Sequence, residues 1–238
     1  MTDMPPLALL AGGLATRLGD LTKQVPKAMV EVAGEPFIAH QLQLLRRERV
    51  PRVVICAAYL AEQIQAYVGD GSRFGLSVTY KLDGPKLLGT GGALRSALPE
   101  LGDEFLVMYG DSWLDTSYAP VVEAFRDRGQ PALMTVFRNE AQWDMSNVWF
   151  ENGRIRLYDK RELLPQMQHI DWGLSIIRSE ALAARPMAEP FDLADFYSEL
   201  SRAGRLAGYE VTTRFYEIGS AAGLRETDSM LQAQHANR

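Results

Sequence analysis

Between Leu7 and Phe137, short apolar runs rich in β-formers alternate with stretches whose apolar residues recur every three or four positions. Leu7–Leu10, Val53–Ala57, Leu76–Tyr80, Phe105–Tyr109 and Ala132–Phe137 have the length and composition of buried strands. Phe37–Arg47, Ala61–Val68, Gly91–Leu98 and Tyr118–Arg126 carry the helical spacing between them. That order predicts βαβ units, hence an α/β chain with a Rossmann-like, mostly parallel sheet flanked by helices. After Asn147 the pattern changes. Val148–Glu151 and Arg154–Tyr158 flank Asn152-Gly153, a pair that readily takes a type I′ turn, so they read as a hairpin. Trp172–Ile177, Leu193–Ala203, Ala207–Val211, Tyr216–Ile218 and a helix from Ala222 complete the reading.

Ligands in open sheets of this kind sit beyond the carboxyl ends of the strands, and two motifs fall at such ends. The first strand runs into Gly12-Gly13, followed by Arg17 and then Pro26-Lys27. Glycines leave no side chain between backbone and ligand, so their N–H groups can reach phosphate oxygens. Arg17 and Lys27 add fixed positive charge where phosphoryl charge would be neutralised. A Walker loop requires a Gly-Lys-Ser/Thr ending, which is missing. The dinucleotide fingerprint fails as well, since its glycine places read Gly12, Leu14, Arg17 or Gly13, Ala15, Leu18. An ordinary tight turn after a core strand is the competing reading of this segment alone.

The second motif is Phe105-Leu-Val-Met-Tyr-Gly-Asp111, a buried strand ending in a carboxylate. Asp111 suits Mg²⁺, which takes few protein carboxylates and fills its octahedron with phosphates and water. As an isolated feature it also reads as a helix cap or turn residue. Leu87-Leu-Gly-Thr-Gly-Gly-Ala-Leu94 is a further glycine cluster opening a helix, with Thr90 or Gly89 as cap and free N–H groups pointing outward.

Ala11-Gly-Gly…Thr16-Arg-Leu followed by Pro26-Lys27 resembles the loop of the sugar-1-phosphate nucleotidyltransferases, with Ala15 where that family usually has a third glycine. Other segments match in the family's order, and the resemblance covers almost the whole chain. It implies the nucleotide-diphospho-sugar transferase fold in a single domain, residues 1–238. About 1–140 would bind NTP, and about 141–238 would form a small C-terminal sugar-phosphate-binding sub-region. The implied reaction is NTP plus sugar 1-phosphate giving NDP-sugar and pyrophosphate, with Mg²⁺ as cofactor. Gly12 and Gly13 would lie under the phosphates, with Arg17 on the leaving β/γ-phosphates and Lys27 on the α-phosphate. Gly89, Thr90 and Gly91, with Asp83 as the upstream acid, would contact base and ribose. Tyr158-Asp-Lys160 resembles the family's Glu-Lys-Pro without its proline, which puts Lys160 on the sugar phosphate. Ile170-Asp-Trp-Gly173 resembles its Asn/Asp-x-Gly, which puts Asp171 and Gly173 on the sugar. Asn147 is read equally as a sugar contact or a turn residue. Arg214-Phe-Tyr-Glu-Ile-Gly-Ser220 resembles its Asp-Ile-Gly-Thr, so Glu217 would join Asp111 on the metal, directly or through water.

Within that family the chain looks most like bacterial heptose- or mannose-1-phosphate guanylyltransferases and muramate-1-phosphate uridylyltransferases, with a lean to the heptose guanylyl group. Two rivals stand beside it: a cytidylyl- or uridylyltransferase for another phosphorylated acceptor, and a non-catalytic nucleotide-sugar sensor. A net charge of −5 argues against a nucleic-acid partner. No run reaches membrane-spanning length and Leu7–Leu10 is too short for a signal peptide, so the chain reads as cytoplasmic, with no membrane partner. A homo-oligomer stays open. The lone Cys56 sits in an apolar run and reads as a buried thiol. His40, His169 and His235 lack metal or triad spacing, and Trp143, Trp149 and Trp172 read as packing residues.

Overall fold

Leu7–Leu10 (β1) is buried on both faces, with Leu7 and Leu9 in one core cluster and Ala8 and Leu10 in another. A strand of that kind belongs in the middle of a sheet covered on both sides. The computed structural model describes residues 3–13, 24–84, 86–185 and 190–236. Arg17 and Ala15 lie outside these described residues. After β1 the chain forms β2 (Glu31–Val32), β3 (Glu35–Pro36), α1 (Phe37–Arg47), β4 (Arg52–Ala57), α2 (Ala61–Val68), β5 (Ser77–Leu82) and α3 (Gly89–Leu101). Then come β6 (Glu104–Tyr109), β7 (Ser112–Trp113), α4 (Ala119–Arg128), β8 (Ala132–Arg138), β9 (Val148–Glu151) and β10 (Arg154–Tyr158). The last part holds β11 (His169–Arg178), α5 (Ser179–Ala183), α6 (Leu193–Arg202), β12 (Leu206–Val211), β13 (Tyr216–Glu217) and α7 (Ala221–Ala236).

The main sheet has the order β5-β4-β1-β6-β11-β8-β12-β10-β9. It is parallel over β5-β4-β1-β6, as the βαβ pattern requires, and mixed beyond. β11 lies between β6 and β8 and runs antiparallel to both, while β12 is parallel to β8. Helices α1, α2 and α4 cover one face and α3, α5 and α6 the other. Side chains such as Phe125, Phe105 and Trp172 are withdrawn from water, each worth roughly 1.5–3 kcal/mol or more of transfer free energy.

Local chemistry sets the joints. Pro120 opens α4, and Gly129 in the left-handed region (φ 61°) closes it. Asn152 (φ 51°) and Gly153 (φ 74°) both take the positive φ that a type I′ turn demands, which forms the β9–β10 hairpin. A third, smaller cluster, with Val32, Phe37, Trp113, Ile218 and Leu231, fastens α7 and the β7–β13 ladder against α1. That fastening brings the C-terminal segment back to the carboxyl end of β6.

Candidate active site

β1 and β6 end side by side, and Gly110 decides how the chain leaves β6. Its N–H donates to Leu10 O at 2.9 Å. A Cβ there would sit 2.9 Å from the same oxygen and 3.1 Å from Ala11 Cα, so only glycine fits. The buried Gln41 on α1 donates through Nε2 to Tyr109 O (3.0 Å) and Ser112 O (2.8 Å), clamping both sides of the turn. Asp111 is thereby fixed at the carboxyl edge of the central strands. Lys27 Nζ donates to its Oδ2 at 2.6 Å, and Ser112 Oγ to its Oδ1 at 3.2 Å.

Two cavities meet at this carboxylate. One, of about 560 Å³, is lined by Gly12, Gly13, Lys27, Asp83, Gly89, Thr90 and Asp111 over mostly apolar walls. Among the described residues an added Cβ would meet nothing nearer than 3.4 Å at Gly12 and nothing within 4 Å at Gly13, so their packing does not demand glycine at either. Asp83 accepts the Leu88 N–H at 3.0 Å, closing the loop that leads into α3.

The entry of α3 departs from expectation in three ways. Its N-cap is Leu88, without a side-chain cap, in place of Thr90 or Gly89. Thr90 Oγ1 instead donates to Asp192 Oδ1 (2.8 Å) and accepts the Leu193 N–H (2.8 Å), joining α3 to the start of α6. The N–H groups of Gly91 and Gly92 are not free, because Phe191 O accepts both at 3.0 and 3.4 Å. Gly91 also faces away from the cavity: a Cβ there would lie 2.1 Å from Phe191 Cε2, so its glycine serves packing rather than a ligand. Gly89 keeps its place on the cavity wall, held at φ 74° with Phe191 O 2.5 Å from a notional Cβ.

The second cavity, of about 440 Å³, is lined by Asp111, Asn147, Lys160, Asp171, Gly173 and Glu217 among others. Asn147 Oδ1 accepts the Asp171 N–H at 3.1 Å, and its backbone carbonyl accepts the Asp159 N–H at 3.1 Å, so it ties the wall together. Gly173 (φ 103°) donates its N–H to Asp171 Oδ1 at 3.0 Å. Burial pushes the Asp171 carboxyl up from its ordinary range, opposed by the Lys160 charge and the Gly173 N–H. Lys160 has no carboxylate within ion-pair range among the described residues.

The β7–β13 ladder sets Glu217 opposite Ser112, one residue from Asp111, and Ile218 N–H donates to Asp111 O at 2.9 Å. Glu217 accepts from the Gly219 N–H and from Ser220 Oγ (2.7 Å), which leaves a lone pair on each oxygen. Asp111 and Glu217, two carboxylates on one wall, suit a hard cation that completes its shell with phosphate and water.

Sequence reasoning missed Gln41, Tyr109 (which lines both cavities) and Thr227, whose Oγ1 donates to Glu217 O at 2.9 Å. Their roles depend on contacts distant in sequence, so no local pattern marks them. Trp172 is core, with Nε1 donating to Thr213 O at 2.8 Å, while the half-exposed Trp143 lies on the rim with the Arg214 guanidinium 3.4 Å over its ring.

Known proteins resemble this chain in sequence and in fold. A Synechocystis UTP–glucose-1-phosphate uridylyltransferase is 27% identical over 87% of this chain, which spans 58% of that relative's length. A Caulobacter vibrioides N-acetylmuramate α-1-phosphate uridylyltransferase is 31% identical over 92% of this chain and 94% of its own. The fold matches HddC from Yersinia pseudotuberculosis with a TM-score of 0.83 at 20% identity, over 96% of this chain and 100% of that one. The nucleotidyl transferase family model matches residues 8–144, from the first strand through the Gly-Gly loop, Lys27 and Asp111, and the chain belongs to that family.

Proposed function

We propose that this protein transfers a nucleotidyl group from an NTP to a sugar 1-phosphate, giving NDP-sugar and pyrophosphate. The observation that carries this is Asp111, which lines both cavities. A carboxylate shared by adjoining pockets marks the place where two substrates would meet. The larger cavity would hold base and ribose between Gly12, Asp83, Gly89 and Thr90, with the triphosphate running past Gly13 to Lys27. The smaller would hold the sugar against Asn147, Asp171 and Gly173, with its phosphate on Lys160.

In this reading a phosphate oxygen of the acceptor attacks the α-phosphorus in line, and the bond to pyrophosphate breaks on the opposite side. The attacking phosphate is already ionised at neutral pH, so no residue acts as nucleophile or base. Catalysis then rests on positioning and charge neutralisation. Lys27 would neutralise the α-phosphate. Arg17 is assigned to the leaving phosphates on the sequence alone. Asp111 and Glu217 would hold Mg²⁺, which when bound supplies further neutralisation of phosphate charge.

The Asp83 carboxylate favours guanine. It only accepts hydrogen bonds, and guanine offers two adjacent donors on its Watson–Crick edge, where uracil offers one between two acceptors. The second reading, UTP with N-acetylmuramate 1-phosphate, is favoured by the Caulobacter relative, which the chain spans almost entirely. An NTP substrate and one buried free thiol suit a cytoplasmic setting. Pyrophosphate release, measured for four NTPs crossed with mannose, heptose, glucose and N-acetylmuramate 1-phosphates, tests both readings. GTP turnover lost in Asp83→Asn supports the first. UTP turnover with N-acetylmuramate supports the second, and no release from any pair would sink the reaction.

A further inference from the structure

The chain is net acidic, yet one groove apart from both cavities is lined by guanidinium groups and no carboxylate. Arg128, Arg154, Arg156 and Arg202 surround a hollow of about 480 Å³, where the last residues of α4 and α6 meet the β9–β10 hairpin. Four like charges held together repel one another, and a concave shape concentrates their field on whatever enters.

Among the described residues only Arg202 of the four has a short ion pair, to Asp159, and the counter-charges on the other three are thin. Arg128 Nη1 donates to Gly153 O at 2.7 Å, a neutral partner. Arg156 reaches Glu151 only at 3.5 Å, with both side chains nearly half exposed. Arg154 has no carboxylate within ion-pair range among the described residues. The backbone contributes as well. β10 bulges between Ile155 and Leu157, leaving Arg156 without a partner on β9, and a bulge of this kind re-aims a side chain. All four cations are arginines, whose planar forks match phosphate oxygens two at a time.

We propose that this groove binds a small phosphate-bearing anion and that its occupation weakens acceptor binding. The route is short. Arg202 Nη2 donates to Asp159 Oδ2 at 2.6 Å, while Asp159 Oδ1 accepts the N–H groups of Arg161 (2.8 Å) and Glu162 (3.0 Å). One carboxylate thus organises the turn that contains Lys160. An anion that draws Arg202 away loosens Asp159 and displaces the lysine next to it. The coupling rests on the role proposed above for Lys160, whereas the binding does not.

Calorimetric titration of the full chain with inorganic pyrophosphate, comparing wild type with Arg154→Ser/Arg156→Ser, tests the binding. Both positions are exposed, so an unchanged Tm is expected. The double variant should lose one class of sites, or weaken it by about tenfold or more, and the corresponding lysine pair should restore it in part. Identical stoichiometry and affinity in wild type and variant would overturn the site. Phosphatidylglycerol vesicles that retain wild type but not the variant would overturn the small-ligand reading. At saturating NTP, orthophosphate should raise the acceptor KM severalfold in wild type and not in the variant, and equal responses would overturn the coupling. Failure of every acceptor to turn over leaves the calorimetric result standing, so the two failures are distinguishable.

Discussion

Lys27 Nζ and Asp111 Oδ2 lie 2.6 Å apart, an ion pair between the short helical turn after the glycine loop and the end of β6. Each orients the other at the junction of the two cavities, and removing one leaves the other charge partly buried without its partner. Asp111→Asn and Lys27→Met should therefore each lower kcat/KM by about a hundredfold, on the order of 3 kcal/mol, with the fold intact. The double variant should cost less than the sum of the singles. Steady-state kinetics beside circular dichroism checks this, and near-wild-type turnover in either single variant refutes the assignment.

Gly13 and Gly91 look alike in the sequence but are glycines for opposite reasons. Gly13→Ala meets no atom of the described residues within 4 Å, so the melting temperature should hold while NTP affinity falls. Gly91→Ala places a methyl 2.1 Å from Phe191 Cε2, which should cost about 1–3 kcal/mol of stability. Thermal melts and NTP calorimetry on both variants separate the two effects. A loss of stability in Gly13→Ala would contradict the distinction.

With Asp171 on the acceptor, as proposed, the acceptor side gains an acid limb. Because burial raises its carboxyl pKa, protonation begins at a higher pH than for an exposed aspartate, whose ordinary value is 3.8. As pH falls through that raised value the group loses its charge and one accepting oxygen becomes a donor, so in the proposed reading the acceptor KM should climb. Linkage gives the opposite sign for stability. A carboxyl with a raised folded-state pKa destabilises the fold at neutral pH, and the penalty fades as pH falls through that pKa. Asp171→Asn should thus bind the acceptor poorly with a flatter acid limb, yet melt higher than wild type at pH 7, with the gap closing in acid. A melting gap that widened in acid would be inconsistent with this account.

Cys56 lines the larger cavity but should be chemically silent. Burial, with the Asp83 charge adding to it, pushes its thiol up to about 12, so the thiol form predominates at pH 8. Iodoacetamide should leave the folded protein unlabelled and modify it fully in urea. Prompt labelling of the native protein would show that the cavity opens.

Legibility in the sequence followed the range of the forces involved. The β9–β10 hairpin, α1 and α2 were readable residue by residue, because Asn152-Gly153 and the three-to-four spacing act locally. The place of Asp111 at the end of β6 was readable from its apolar run, whereas Asp171, expected just ahead of a strand, lies inside β11. The place of β11 was not readable, because its pairing with β6 and β8 joins segments far apart in the chain. The entry of α3 misled for a related reason: Phe191, a hundred residues downstream, supplies the carbonyl that takes up the N–H groups the glycines seemed to offer.

The insertion of β11 has a consequence for how such a protein can be remodelled. This strand carries Asp171 and Gly173 at one end, while its Leu174–Arg178 stretch is stitched to β6 in the interior. In the proposed reading, acceptor contact and structural integrity therefore fall within the same ten residues. A new acceptor preference cannot be imported by exchanging the C-terminal third as a cassette, since the exchange would remove a central plank of the sheet. Change at this site has to come by single substitutions around Asp171 and Gly173, leaving Leu174–Arg178 untouched.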